Sequence, residues 1–471
     1  MKRLGLLVVL VWLVGVGRVM GLATAVTHTI PAAELAAALS QAAPGDTIVV
    51  TGGVYAGHLT IDKSVTLIGQ DWPVIDGGGA GTVVNITAPN STIQGFVIRD
   101  SGRSLDEENA GLVAAATDIT IAENRFEETL FGIYLLQAHN SIIRDNFITS
   151  KELDMPRRGD GIRVWESNDV LIEGNEVWRA RDVVLWYSTR LTIRDNEVRD
   201  GRYGLHFMYC DDAHIVHNRL LNNSVGAFLM YSRRLHMEQN TIAHNRGPSG
   251  YGIGMKDLDD AAVSENLFLD NRVGTYLDGS PREVDSVGLF TGNVFAYNDI
   301  GVEMLPAVRH NHFEQNSFVE NEEQMSIAGG GQPGANVWAG NYWSDYAGYD
   351  ANGDGVGDIA YKSERLFENV MQREPNLRLF LYSPATGAID LAARAFPLVK
   401  PQPKLVDERP LLTPLIPTAA PALPASRSHD WVWLAAGLLA AALVWHVLPQ
   451  RWQRQYSFPQ RAPLNSPKLP H

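Results

Sequence analysis

An asparagine recurs about every 22 residues along most of this 471-residue chain: Asn124, Asn146, Asn175, Asn196, Asn218, Asn240, Asn266, Asn293, Asn316 and Asn341. From Asn175 to Asn240 the spacings are 21, 22 and 22. Most copies carry Ile or Val three residues earlier (Ile121, Ile143, Ile172, Ile193, Ile215, Val263) and a large apolar residue two later (Phe126, Val177, Val198, Leu220, Ile242, Phe268, Phe295, Phe318). A fixed period with internal alternation marks a solenoid. Between the asparagines, apolar and polar residues alternate in runs such as IRVWES, LTIRDN and AFLMYS, so each unit reads as several short strands rather than a helix pair.

The predicted fold is all-β, a right-handed parallel β-helix over residues 26–360. Equivalent side chains then stack at the strand spacing of ~4.8 Å, giving a rod on the order of 60 Å long. An inward Asn at a turn hands its amide hydrogen bonds to the next Asn and to backbone groups otherwise buried unpaired. Open sheet ends need covers. Ala32 to Ala43 reads as an N-terminal helical cap, and 361–397, containing LFENVMQ, LRLFLY and AIDLAARAF, as a C-terminal helical cap.

The termini set the expected compartment. Lys2, Arg3, the apolar stretch Leu4 to Val16 and Ala23-Thr24-Ala25 read as a signal peptide over 1–25, with Val26 first after cleavage. A single cysteine, Cys210, excludes an intramolecular disulfide framework. Residues 398–430 are a Pro-rich linker, expected to be extended. Trp431 to Leu448 lacks Asp, Glu, Lys and Arg and is bordered by Trp431, Trp433 and Trp445, as a transmembrane helix with an aromatic belt would be; a buried core helix is the alternative. The tail 449–471 carries Arg451, Arg454, Arg461 and Lys468 and no acid, which places it in the cytoplasm and the β-helix in the periplasm. The formal net charge of −14 argues against a nucleic-acid partner.

Aligning the coils on their Asn brings Trp165, Trp186, Met208 and Met230 into one column, with Arg163, Val184, His206 and Phe228 two residues earlier. Strand alternation puts the apolar set between them (Val164, Leu185, Phe207, Leu229) inside, so the Trp and Met column faces out. Such a stripe marks a partner surface, here Trp165, Trp186, Phe228 and Met230, unless a C-terminal helix or loop of the same chain covers it. Within LHFMYC, His206, Met208 and Cys210 are two apart, and Met230 lies one coil on. If the strand runs through Cys210, these four form a candidate copper site, because imidazole, thioether and thiolate select Cu(I) by softness; packing of the methionines is the alternative. Asp350, Asn352, Asp354 and Asp358 match four positions of an EF-hand-type loop around Gly355, a candidate structural calcium site, but position twelve is Tyr361. A metal-free turn is the other reading.

The segments GDGIRVWESNDVLIEGN, VVLWYSTRLTIRDN, RYGLHFMYCDDAHIVHN, SVGAFLMYSRRLHMEQN and GPSGYGIGMKDLDD resemble the NosD family of periplasmic maturation factors for nitrous oxide reductase. The resemblance extends roughly from Pro31 to Pro410 and is most specific from Gly159 to Asp260. It implies a non-enzymatic accessory protein that helps assemble the copper-sulfide centre of the reductase. The implied partners are an ABC transporter (its ATPase and its membrane subunit), a copper-carrying chaperone lipoprotein and the reductase itself. Two features depart from the family pattern: Cys210 stands where sister coils have Ser167, Ser188 and Ser232, and the expected C-terminal span would tether the protein to the membrane. A carbohydrate-active β-helix (lyase, hydrolase or uronan epimerase) is the alternative, with Asp160, Asp182, Asp211, Asp212, Asp257, Asp259, Asp260, His206 and His214 as candidate groups. Asp is also a turn former, and several of these carboxylates fall at coil corners.

Overall fold

The computed structural model describes residues 25–329, 336–364, 374–380 and 403–417, with a few positions between 383 and 392. Three parallel sheets of 14, 12 and 13 strands run the length of a right-handed-type solenoid. Each complete coil contributes one strand to each sheet, and register follows the sequence period: Ile172 pairs with Ile193, Ile193 with Ile215 and Ile215 with Met237. The columns predicted to face inward do so, with Val164, Leu185, Phe207 and Leu229 buried in the core.

The asparagines form the ladder expected of them. Asn218, for example, donates its amide N–H and its Nδ2 to Asn240 Oδ1 at 2.8 and 3.0 Å, and Nδ2 also reaches Ile193 O and Val216 O. The residue before each rung turns through the left-handed region, at Gly174, Asp195, His217 and Gln239 among others. A second ladder runs five residues later, Asn223, Asn245, Asn271, Asn298 and Asn321, each accepting from the coil before. The sequence carries the same period there.

At the N-terminal end a short helix, Leu35–Gln41, buries Leu35 and Leu39 over the first coil, as the amphipathic pattern predicts. The other end is closed differently from expectation. Phe268, Phe295, Phe318, Trp343 and Tyr361 stack successively at 4.3 to 4.9 Å, so Tyr361 is the last plate of the core. Residues 361–362 then pair antiparallel with 406–407, inside the stretch assigned by its prolines to a solvated linker.

That strap is anchored by polar groups. Asp407, fully buried, accepts from the N–H groups of Gly340, Asn341 and Arg409, from Asn341 Nδ2 and from Trp343 Nε1, and so stands where the next rung of the ladder would be. Lys404 is buried against Glu323, and the Ser317 hydroxyl donates to Leu415 O and accepts from Leu415 N–H. Of the expected C-terminal helical cap, Pro375–Phe380 is a 3-10 helix, and most of the remainder lies outside the described residues. The expected signal peptide (1–25, bar its last residue) and the transmembrane and tail segments (431–471) also lie outside them. No helix among the described residues is long and apolar enough to cross a membrane.

Candidate functional site

The outward stripe lies on the 12-stranded sheet, on strands Ile162–Trp165, Asp182–Trp186, Tyr203–Met208 and Val225–Met230. Trp165 pairs in register with Trp186, Trp186 with Met208 and Met208 with Met230, so the four form one continuous half-buried column. The rings of Trp165 and Trp186 are 5.5 Å apart. Phe228 sits in the neighbouring column beside Tyr203, and its ring occupies space left by Gly254, where a Cβ would lie 2.4 Å from Phe228 Cδ2. Beside the stripe runs a ladder not anticipated from sequence, although its period was visible. Tyr187, Tyr209 and Tyr231 stack at 5.2 and 5.1 Å, with Tyr187 and Tyr209 45% and 47% exposed. All three occupy the left-handed region (φ 52°, 55° and 54°), an unfavourable place for a bulky side chain.

Cys210 does not join His206 and Met208. The left-handed turn at Tyr209 ends the strand at Met208 and directs Cys210 into the core, where its Sγ donates to Leu185 O at 3.0 Å and its N–H donates to Ser232 Oγ. It therefore takes a rung in the inward ladder that Ser167, Ser188 and Ser232 occupy in sister coils. Burial pushes its thiol up to about 12, and its place in the core keeps Sγ off the outer face. His206, Met208 and Met230 stay together on the outer face.

His206 is held by a charge network the sequence reading did not assemble. A register shift between Asp182 and Val184 gives the following coil one extra residue and places Tyr203 against the His206 ring at 4.9 Å. Trp186 also meets the ring edge-to-face at 5.2 Å. Asp182, buried, faces His206 Nδ1 at 3.3 Å and also accepts from Arg202 Nε and the Tyr203 N–H. Burial pushes the Asp182 carboxyl up, but its hydrogen bonds with Arg202 and His206 outweigh this and hold it below the ordinary carboxylate range. One coil back, fully buried Asp160 is bracketed by Arg163 and Arg181, and Arg163 also pairs with Glu108. Three carboxylates thus meet three guanidiniums.

This network bears on catalysis. Acid–base cleavage of a sugar chain needs carboxylates that can reach the glycosidic bond, whereas Asp160 and Asp182 are buried and engaged by arginine. Asp212 is paired with Arg234, and Asp259 accepts the N–H groups of Arg282 and Glu283.

The candidate calcium residues share one exposed turn. Asp350 accepts from the N–H groups of Gly353 and Gly355, Asn352 from Asp354, Asp354 from Val356, and Asp358 from Ala351. These are local turn hydrogen bonds. Tyr361, at position twelve, is committed to the core stack, and no cluster of three or more His, Cys, Asp or Glu side chains among the described residues is arranged to hold a metal ion. The loop is tied to the strap instead, through Gly357 N–H to Pro410 O and Leu412 N–H to Gly355 O.

A three-sheet parallel β-solenoid that buries Asp160 and Asp182 against arginine and carries an outward stripe of Trp, Tyr and Met is the class of protein the fold and site define. Comparison with known proteins narrows this. The family described as "Periplasmic copper-binding protein (NosD)" matches residues 146–348, the span that contains the stripe. The chain is 31% identical over 388 residues to the "Probable ABC transporter binding protein NosD" of Pseudomonas aeruginosa, covering 79% of this chain and 89% of that one. With the protein of the same description from Stutzerimonas stutzeri it shares 28% over 382 residues, covering 76% and 85%. This chain belongs to the NosD family. Among solved structures, a PL6 alginate lyase superposes with a TM-score of 0.52 at 14% identity, covering 68% of this chain and 85% of that one, which shows the fold alone.

Proposed function

We propose that this chain is a periplasmic accessory protein for assembly of the copper-sulfide centre of nitrous oxide reductase, working with an ABC transporter and a copper-carrying lipoprotein, and that it is not itself an enzyme. The observation that carries this reading is the coincidence of the outward Trp165–Trp186–Met208–Met230 column with the segment that matches the family. Aromatic and Met side chains are the types enriched in the cores of protein interfaces, and the stacked tyrosine corners beside them add exposed aromatic surface to the stripe. The lipoprotein is the partner assigned to this stripe, because Met thioethers and the His206 imidazole suit the receipt of soft Cu(I) cargo. Residues 431–448 are proposed to tether the rod to the membrane on the transporter's side.

The experiment is deletion of the gene in its host. Loss of growth on nitrous oxide as sole electron acceptor, with purified reductase lacking the spectrum of its copper-sulfide centre, is the expected result. Normal growth with a complete centre would refute the reading. Uronan-degrading activity in the purified protein would favour a carbohydrate-active one.

A further inference from the structure

The His206 imidazole has an asymmetric environment. Its Nδ1 faces the buried Asp182 carboxylate at 3.3 Å, whereas Nε2 makes no hydrogen bond among the described residues. A carboxylate on one ring nitrogen fixes the tautomer with the proton there and leaves the other nitrogen's lone pair free, the arrangement that orients a metal-ligating histidine. The ring cannot readily swing away. Trp186 and Tyr203 both pack against it edge-to-face, and the residue is only 8% exposed. Asp182 is in turn fixed by Arg202. An imidazole oriented this tightly, with one nitrogen unspent, is more than packing requires.

Two thioethers share its face. Met208 is two residues along the same strand, so it projects on the same side as His206. Met230 is its register partner on the next coil, where strands lie about 4.8 Å apart. One imidazole nitrogen and two thioether sulfurs are a neutral, soft donor set, suited to Cu(I) and poorly suited to Ca²⁺ or Mg²⁺. The nearby acids do not harden it, because Asp160 and Asp182 are engaged by arginine.

We propose that His206 Nε2 and the sulfurs of Met208 and Met230 form a three-ligand Cu(I) site on the outer face of the 12-stranded sheet, with Asp182 as its positioning residue and Cys210 excluded. This deepens the copper-assembly reading and rests on it for the site's use, while the site itself can be tested without the reductase. A three-donor site in a half-buried column leaves one side open for exchange with a partner.

The test is Cu(I) affinity of the purified full-length protein by competition with a chelating indicator, with X-ray absorption to identify the donors. Wild type is expected to bind one Cu(I) with mixed nitrogen and sulfur scattering. His206→Ala, and Met208→Leu with Met230→Leu, should abolish binding, the latter also removing the sulfur contribution. Asp182→Asn should weaken it by about 10–100-fold, the range for loss of a carboxylate behind a metal-bound histidine, and Cys210→Ser should bind as wild type. Circular dichroism and melting of each variant separate ligand loss from misfolding, and Met→Leu keeps the packing volume. Wild-type affinity in the double Met or the His206 variant overturns the site, as does a wild type that binds no Cu(I). The functional reading fails separately. A host carrying the non-binding variants that still matures its reductase would refute a role for the site in assembly, whereas a deletion phenotype with no Cu(I) binding would refute the site and leave the assembly role standing.

Discussion

Removing the Asp407 carboxylate should open the C-terminal end of the rod. Asp407 is fully buried and accepts five hydrogen bonds, four of them from the last coil: the N–H groups of Gly340 and Asn341, Asn341 Nδ2 and Trp343 Nε1. In Asp407→Ala these four donors lose their acceptor. A buried donor left unsatisfied costs about 1–3 kcal/mol, so if water reaches half of them the local loss is about 2–6 kcal/mol. Solenoid stability is close to a sum of nearest-neighbour terms, so the cost falls on the terminal coil and the strap rather than on the whole rod. Amide hydrogen exchange read by mass spectrometry tests this. Peptides covering 337–343 and 404–412 should exchange at least about thirtyfold faster, since each 1.4 kcal/mol is a factor of ten, while coils around Asn196 and Asn218 keep wild-type protection. Unchanged exchange at 337–343 would refute the assignment of Asp407 as the last rung. Uniform loss of protection along the rod would refute the nearest-neighbour argument.

The inward rung at Cys210 predicts that the thiol resists alkylation at pH 8 in the folded protein and reacts only after denaturation, as mass spectrometry would show; rapid labelling of native protein would contradict its buried position. Asp182 has a folded pKa below that of the unfolded chain, so the stability it contributes is present above about pH 4 and lost as pH falls through the lowered folded value. The melting-temperature gap between wild type and Asp182→Asn should therefore hold from pH 8 to 5 and close below pH 4, and a gap constant down to pH 2 would oppose this. Trp165→Glu with Tyr187→Glu puts charge on the aromatic edge of the stripe (rings 5.4 Å apart), and should abolish co-purification with the copper-carrying lipoprotein while leaving Cu(I) affinity and melting unchanged. Retained complex would move the docking surface elsewhere.

Much of the candidate site was legible because a solenoid turns sequence period into spatial adjacency. Residues about 22 apart become neighbours across one strand spacing, so the Trp165–Trp186–Met208–Met230 column and the inward set beside it could be read by alignment on the asparagines. The second asparagine ladder and the Tyr187–Tyr209–Tyr231 stack carry the same periodic signal. The direction of Cys210 was not legible. It depends on Tyr209 turning through the left-handed region, and that corner holds Glu166, Asp257 and Gly279 as well as Tyr in sister coils, so residue type does not announce it.

The amino-acid sequence by itself determined the coil period, the alternation that divides core from surface, the N-terminal cap and the family, because each of these is a local or strictly periodic property. Tertiary structure alone decided the rest. Asp407 closes the ladder at Asn341 from 66 residues away, a pairing with no period to reveal it. The proline-rich stretch could be judged extended but not docked, since its anchors Lys404 and Asp407 find partners only once the last coil exists. Asp182, Arg202, Tyr203 and His206 become one unit through a register shift between neighbouring strands. A single inserted residue moves side chains relative to the adjacent coil, and only the folded backbone shows where the ladder absorbs it.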